Sequence, residues 1–123
     1  MHKNIPRYII ISYLLILGTV STCWAAPHPW DLTGKQWTQS SVAEKLSFLY
    51  GASSIVAIED YGAKNTGKPV SLFVDGWMKS FGNATLREVQ QKIDAWYAEH
   101  PDQKNRHVLD VIWYELIEPL QGK

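Results

Sequence analysis

Apolar residues recur at helical spacing in four stretches of the chain, and the clearest of these follows Thr85. Its apolar positions are Leu86, Val89, Ile93, Trp96 and Tyr97, with polar side chains between them. Positions three and four apart share one face of a helix, so the stretch is typical of an amphipathic helix. Thr85 and Glu88 have the spacing of a capping box, which indicates where this helix begins. Pro101 disfavours a helical residue before it, so we expect the helix to end at His100.

A longer helix is predicted over residues 41–60, starting at a second capping box formed by Ser41 and Glu44. Its apolar or small positions are Val42, Leu46, Phe48, Leu49, Ala52, Ser53, Ile55, Val56 and Ile58. Gly51 lies in the middle, where glycine costs roughly 1 kcal/mol relative to alanine. We therefore expect another helix to approach closely at Gly51. The alternative for residues 55–58 is a short strand.

Two further helices complete the pattern. Turn-forming residues at 62–69 precede a shorter helix that we expect to begin at Pro69 and end at Phe81, with Val70, Phe73, Val74 and Trp77 on its apolar face. The last helix is expected to start near Asp102 or Asn105 and to run to Glu118, before Pro119. Four helices with short connections predict an all-α fold, a small bundle over residues 40–123.

Two segments precede the bundle. Residues 26–39 contain two prolines and a glycine and have no periodic pattern, so we expect an extended lead-in, held to the domain by Trp30 or Trp37. Residues 1–25 have the parts of a cleaved secretory signal: basic Lys3 and Arg7, an apolar run, and a small-residue cleavage site before Ala26. The alternative is a retained membrane anchor, for which an apolar run normally has about 20 residues.

Export places the mature domain in the periplasm or outside the cell. Cys23 is the only cysteine, and Thr22 occupies a position where lipoprotein signals normally carry Gly, Ala or Ser, which disfavours lipid anchoring. The whole chain has zero net charge, and loss of Lys3 and Arg7 leaves 10 basic and 12 acidic residues, a net charge of −2. That balance argues against nucleic acid or an anionic membrane as partner, because both favour basic surfaces.

No motif of a reactive site stands out. Residues 62–68 match phosphate-loop spacing until Pro69, which replaces the hydroxyl residue that binds magnesium. His100 and His107 are separated by Pro101 and lack the spacing of metal ligands on one helix face. No serine lies in a Gly-x-Ser-x-Gly elbow. We therefore predict no catalytic residue, no metal and no cofactor, and we do not expect an enzyme.

The segment Asp75-Gly76-Trp77 has two interpretations, because an interior glycine beside tryptophan weakens a helix. In the structural interpretation, Gly76 permits a close helix contact and Trp77 belongs to the core. In the functional interpretation, Tyr61, Asp75 and Trp77 form a partner-binding rim, since exposed aromatic residues commonly anchor interfaces.

Several features together resemble a known family. They are the Phe-Leu-Tyr-Gly sequence at 48–51, the helix that ends in Trp96, Tyr97 and Pro101, and the final helix before Pro119. Over residues 40–119 the chain resembles the small periplasmic all-helical proteins of the Rap1a/Tai type, immunity proteins that neutralise type VI secretion amidase effectors. Those proteins typically carry paired cysteines, whereas no cysteine follows Cys23 here. The resemblance implies an all-helical fold and an immunity-like role.

Three functional hypotheses follow. The leading one is non-catalytic binding of another envelope or periplasmic protein, with the immunity-like role as its specific form. The alternative is a carrier of a small apolar ligand, held between helices, or an accessory subunit of an envelope enzyme. The third, a hydrolase, requires Asp, His or Ser side chains that converge in space.

Overall fold

The computed structural model describes residues 31–122, and this part of the chain is helical, as the hydrophobic pattern predicts. The predicted signal peptide, Cys23 and Trp30 lie outside the described residues. The α-helices are α1 (Gly34–Gln39), α2 (Val42–Thr66), α3 (Leu72–Phe81), α4 (Leu86–Glu99) and α5 (Val108–Val111). A π-helical segment, Ile112–Ile117, continues α5, and short 3-10 turns occupy Pro101–Gln103 and Glu118–Leu120. Within residues 31–122 there is no strand, only an isolated bridge between Thr33 and His107.

Both predicted capping boxes form. The Ser41 hydroxyl accepts from the Glu44 N–H while the Glu44 carboxylate accepts from the Ser41 N–H, and Thr85 and Glu88 repeat the arrangement at α4. Because these reciprocal bonds use N–H groups that have no partner inside the helix, they fix where α2 and α4 begin. The start of both helices and the end of α4 before His100 are confirmed.

The predicted turn at 62–69 is wrong over its first half. Residues 62–66 extend α2, supported by an ion pair between Lys64 and Asp60 (2.5 Å), and the turn begins only at Gly67, whose φ of 67° suits glycine. The phosphate-loop spacing therefore falls mostly on a helix. The next helix, α3, begins at Leu72 rather than at Pro69, because Ser71 is its cap. The Glu59 carboxylate accepts from the Ser71 N–H at 2.6 Å and ties α2 to this cap.

The predicted extended lead-in is also wrong over residues 34–39, which form α1. Thr33 and Gln36 make a third capping box at its start. The Trp37 side chain is fully buried, so this tryptophan does hold the segment to the domain. Burial of an indole ring on this scale provides the tertiary support that a six-residue helix needs.

The C-terminal helix is divided where the pattern predicted one continuous element. Pro101 starts a short 3-10 turn, α5 begins only at Val108, and the backbone widens to a π-helix over Ile112–Ile117. The predicted end near Glu118 is close to the observed one, with Pro119 in a final 3-10 turn.

One hydrophobic core joins all the helices. Its buried members are Trp37, Leu49, Val56, Val74, Trp77, Phe81, Val89, Ile93, Trp96, Tyr97, Val108, Val111, Ile112 and Ile117. The predicted core positions Ile55 and Ile58 are outside it and exposed. None of the helices between residues 31 and 122 has the length and apolar character that crossing a membrane would demand.

The N-terminal segment closes against the residues that precede α5. The Leu32 carbonyl accepts from the Val108 N–H at 2.7 Å, and the Arg106 carbonyl accepts from the Gly34 N–H at 2.8 Å. A third backbone bond, 2.7 Å long, runs from Lys35 to the Lys104 carbonyl. These bonds form a clasp between residues 32–35 and 104–108, which joins the start of the described chain to the segment that leads into α5.

Candidate interaction surface

Trp77 is a core residue. Its side chain is only 5% exposed, and its ring packs against Phe81 at 5.3 Å and Phe73 at 5.7 Å between centroids. The functional interpretation that placed it on an exposed rim is therefore wrong. The structural interpretation is confirmed at Gly76, where an added Cβ would lie 2.4 Å from a methyl group of Ile117. A side chain at this position would push α3 away from the π-helical segment.

The other two predicted partner-binding residues have different surroundings. Asp75 is part of an ion pair with Lys79 one turn along α3, at 2.7 Å. Tyr61 is 68% exposed on α2. With Trp77 buried, the three side chains do not form one surface, and only Tyr61 remains as a candidate contact residue.

Tyr61 belongs to a larger exposed surface that the sequence analysis missed. We define the α2 outer face as Ser47, Tyr50, Gly51, Ser54, Ile55, Ile58 and Tyr61, all exposed on the side of α2 away from the core. Its four large side chains are 69% (Tyr50), 67% (Ile55), 69% (Ile58) and 68% (Tyr61) exposed. The close helix contact expected at Gly51 is absent, since nothing lies within 4 Å of an added Cβ there.

The two serines of the α2 outer face make their hydrogen bonds within the helix. The Ser47 hydroxyl donates to the Ala43 carbonyl at 2.9 Å, and the Ser54 hydroxyl donates to the Tyr50 carbonyl at 2.7 Å. A serine that donates to the preceding turn does not need water or a partner for its proton. Removing this face from water is therefore less costly than its composition suggests.

Charge is missing from the middle of α2. Residues 46–58 contain no Asp, Glu, Lys or Arg, although half of the helix circumference there faces solvent. A helix with apolar residues all around is normally buried on all sides. In this fold α2 packs on α3 and α4 with one side only, and the opposite side lacks a cover among the described residues.

Two shallow grooves flank the α2 outer face. One, of about 380 Å³, is lined by Ser47, Phe48, Gly51, Ala52, Ile55 and Leu109. The other, of about 420 Å³, is lined by Leu46, Ser47, Tyr50, Leu86 and Arg87. Ser47 lines both, so the ridge of α2 and its two grooves form one continuous surface that can receive side chains of a partner.

The opposite side of α2 rests on a polar network. The Asp94 carboxylate accepts from the Trp37 indole N–H at 2.7 Å, from the Lys45 amine at 2.9 Å and from the Gln90 amide. The Lys45 side chain is almost fully buried and lies over the Trp37 ring. Asp94 thus joins α1, α2 and α4, and the amine and carboxylate are both engaged in holding these helices together.

A separate cleft of about 350 Å³ lies between α4 and the C-terminal segment. It is lined by Ser80, Phe81, Lys92, Ala95, Trp96, Glu99, Glu115, Leu116, Pro119 and Leu120. Trp96 stacks on His100 at 4.3 Å between ring centroids, and the Arg106 guanidinium lies 5.0 Å from the centroid of the Trp96 ring. The Arg106 guanidinium also pairs with Glu115 at 2.6 Å. The wall of the cleft is mainly apolar.

Two acidic side chains, the buried Tyr97 and the half-buried Asp31, have raised pKa values. Burial raises the pKa of the Tyr97 phenol above its usual range, and the phenol donates to the Arg106 carbonyl at 3.0 Å. Burial also raises the pKa of Asp31, although the N–H groups of Leu109 and Leu32 act in the opposite direction. The Asp31 Oδ1 atom is buried with no hydrogen-bond partner in the described part of the chain.

One sequence signal could have located the α2 outer face. An uncharged stretch of 13 residues, 46–58, contains apolar side chains on every side of the helix, which is more than a single core contact can cover.

The described residues include no group of three or more His, Cys, Asp or Glu that could hold a metal ion. Comparison with protein families, with curated proteins and with solved structures finds no match for this chain.

Proposed function

We propose that this chain acts by non-catalytic protein binding, through the α2 outer face. The observation that carries the proposal is the group of four large side chains, two isoleucines and two tyrosines, each about two-thirds exposed, on one face of one helix. Scattered exposed apolar residues are ordinary on a protein surface, whereas a contiguous patch with tyrosine and isoleucine is typical of an interface. The internally bonded serines of the face support the same function.

The more specific form of the proposal is an exported protein that covers a site on another envelope or periplasmic protein, in an immunity-like way. Its support is the signal-like character of residues 1–25 and the resemblance of residues 40–119 to Rap1a/Tai-type proteins. The grooves beside α2 suit a partner that presents one or two protruding side chains.

The experiment is cross-linking capture from the envelope fraction of the host, with tagged protein as bait and mass spectrometry as readout. Ile58→Glu places a charge within the α2 outer face, one turn from Ser54. Leu72→Glu is the matched control, because Leu72 is 75% exposed at the start of α3, outside this face. We expect one stoichiometric partner with wild type and with Leu72→Glu, and its loss with Ile58→Glu.

Circular dichroism of the three proteins establishes that each bait is folded, as expected for substitutions at exposed positions. Capture that is equally strong with Ile58→Glu would contradict the proposed surface. Recovery of neither another protein nor a cross-linked second copy of the chain, with a folded and abundant bait, would contradict protein binding itself.

Carriage of a small apolar ligand is the second candidate, and the cleft beside Trp96 favours it. Phe81, Leu116 and Leu120 give this cleft an apolar wall. Native mass spectrometry of protein purified from its own host is the test, because a carried ligand adds mass that disappears on denaturation. Replacement of Leu116 by Gln should remove the added mass if the cleft holds the ligand.

A further inference from the structure

We propose that the partner of the α2 outer face is a second copy of this chain, in a two-fold symmetric dimer with antiparallel α2 helices that cross near Ser54. This inference rests on the proposed function, since it identifies which protein the face binds. Ser54 is the middle residue of α2 and is exposed in the centre of the face.

The order of large and small residues along the face fits this arrangement. When two identical antiparallel helices cross at Ser54, each residue lies opposite the one equally far on the other side of Ser54. Tyr61 then lies opposite Ser47, Tyr50 opposite Ile58, and Ser54 opposite itself. Small residues at the crossing let two helix backbones approach, while large residues beside them fill the space.

The absence of charge favours a second copy over a different protein. In a two-fold interface the same patch of both copies is in contact, so a charged residue near the symmetry axis lies next to the same residue of the other copy. Residues 46–58 contain no Asp, Glu, Lys or Arg, and the nearest charged residues along α2 are Lys45, which is buried with Asp94, and Glu59, which binds the Ser71 N–H. Arg87 lines the flanking groove beside Ser47 and Tyr50, away from the crossing at Ser54, so it does not lie opposite its own copy. The face therefore meets the electrostatic requirement of pairing with itself.

The available area fits a dimer of modest affinity. At about two-thirds exposed, the two tyrosines and two isoleucines offer on the order of 500 Å² of surface. A stable interface buries roughly 800 Å² on each partner, and the walls of the flanking grooves, including Leu46 and Phe48, can supply the rest. We expect dissociation in the micromolar range rather than an obligate dimer.

The first test is sedimentation velocity of the chain from roughly 1 to 500 μM, a range centred on the expected dissociation constant. We expect the weight-average mass to rise from one chain to two across this range. Ile58→Glu should weaken dimerisation by at least about 100-fold, because each new carboxylate would be taken out of water opposite Tyr50 of the other copy, with no charged partner. Leu72→Glu should leave the dissociation constant within about a factor of two, because Leu72 lies outside the face.

The second test is site-specific disulfide formation with diamide as oxidant, in a Cys23→Ser background that removes the only native thiol. Ser54→Cys should link two chains, because each thiol lies next to its own copy at the symmetry axis. Asn65→Cys is the control: it is exposed on the same side of α2, but its copy would lie about 33 Å away along the helix axis. We expect linkage at least about tenfold faster for Ser54→Cys, because only that pair meets the distance a disulfide requires.

Two results would overturn the dimer: a monomer over the whole concentration range, or equal rates of linkage at positions 54 and 65. The capture experiment then separates this failure from that of the proposed function. A monomer that loses a different captured protein on Ile58→Glu keeps the function and refutes self-association. A monomer whose captured proteins do not depend on Ile58 refutes both.

Discussion

Two helical glycines, Gly34 and Gly51, have opposite surroundings. An added Cβ at Gly34 would lie 2.1 Å from the Tyr97 ring, whereas Gly51 has nothing within 4 Å of that position. We expect Gly34→Ala to destabilise the fold by about 1–3 kcal/mol, because Tyr97 is buried and hydrogen-bonded. Gly51→Ala should stabilise it by up to about 1 kcal/mol, since alanine is the better helix former.

Urea unfolding well below about 1 μM, under the expected dissociation constant, measures both changes with little contribution from self-association. A neutral effect of Gly34→Ala would mean that the Tyr97 ring moves aside at little cost, which its burial argues against.

Asp31 gives the fold a pH dependence whose sign follows from its raised pKa. Desolvation is the main cause, and His107 and Asp110 are the nearby charges that lower and raise the pKa. An acid with a raised folded-state pKa favours folding when protonated, and that contribution is lost as the pH rises through the folded pKa. Asp31→Asn should therefore be more stable than wild type at pH 7.

The advantage of Asp31→Asn should shrink as the pH falls through the raised folded pKa, and it should level off below the ordinary aspartate value of 3.8, where wild type is protonated in both states. Denaturant unfolding of both proteins at several pH values is the measurement. An advantage that stays constant between pH 7 and pH 4 would show that the carboxylate charge is not its origin.

At the scale of elements, α1, α2 and α4 depend on the network around Asp94. Asp94→Ala would leave the nearly buried Lys45 amine without its ion-pair partner and the Trp37 indole without its acceptor. We expect a loss of about 2–4 kcal/mol, below that of a fully buried pair, because the Asp94 side chain is 35% exposed.

The matched comparison is the double variant Lys45→Met/Asp94→Ala, which removes the buried charge together with its partner. It should be more stable than Asp94→Ala alone, as measured by thermal and urea unfolding. If the double variant were the less stable one, the Lys45 stem rather than its charge would be the important contact.

The bounds of a helix could be predicted from the sequence where the residues that set them lie within or beside that helix. The α4 helix was predicted closely because its capping box, apolar stripe and Pro101 lie within the element itself. The Thr33–Gln36 capping box was an equally local signal of α1 that the irregular composition of residues 26–39 obscured. The end of α2 was missed because Gly62 suggested a turn, while the ion pair at Asp60 and Lys64 supports another turn of helix.

The candidate surface required information that no single element contains. Apolar residues surround α2, so periodicity alone cannot tell which of them the neighbouring helices will cover. Leu49 and Val56 are buried because α3 and α4 pack on that side, and Ile55 and Ile58 stay exposed for the same reason. For Trp77 the close contact at Gly76 decided between core and surface, and that contact involves Ile117, far along the chain.

At the scale of the whole molecule, we expect the fold to depend on residues 31–39. A chain that begins at Ser40 lacks the fully buried Trp37 ring, the indole bond to Asp94 and the clasp to residues 104–108. Loss of a buried tryptophan alone costs about 3–5 kcal/mol, so we predict that this shortened chain loses its cooperative thermal transition. Removal of Gly122 and Lys123 is the control and should leave the transition unchanged.

The clasp also bears on the order in which the molecule can fold. Asp31 accepts a bond from the Leu109 N–H, a partner 78 positions later in the chain, and the bonds of Leu32 and Gly34 span similar separations. Such distant contacts slow folding because a long loop must close before they form. Synthesis proceeds from the N-terminus, so residues 31–37 emerge long before residues 104–109 exist. The residues made first are then among the last to reach their native contacts, and until that moment the Trp37 ring is available to chaperones or to other unfinished chains.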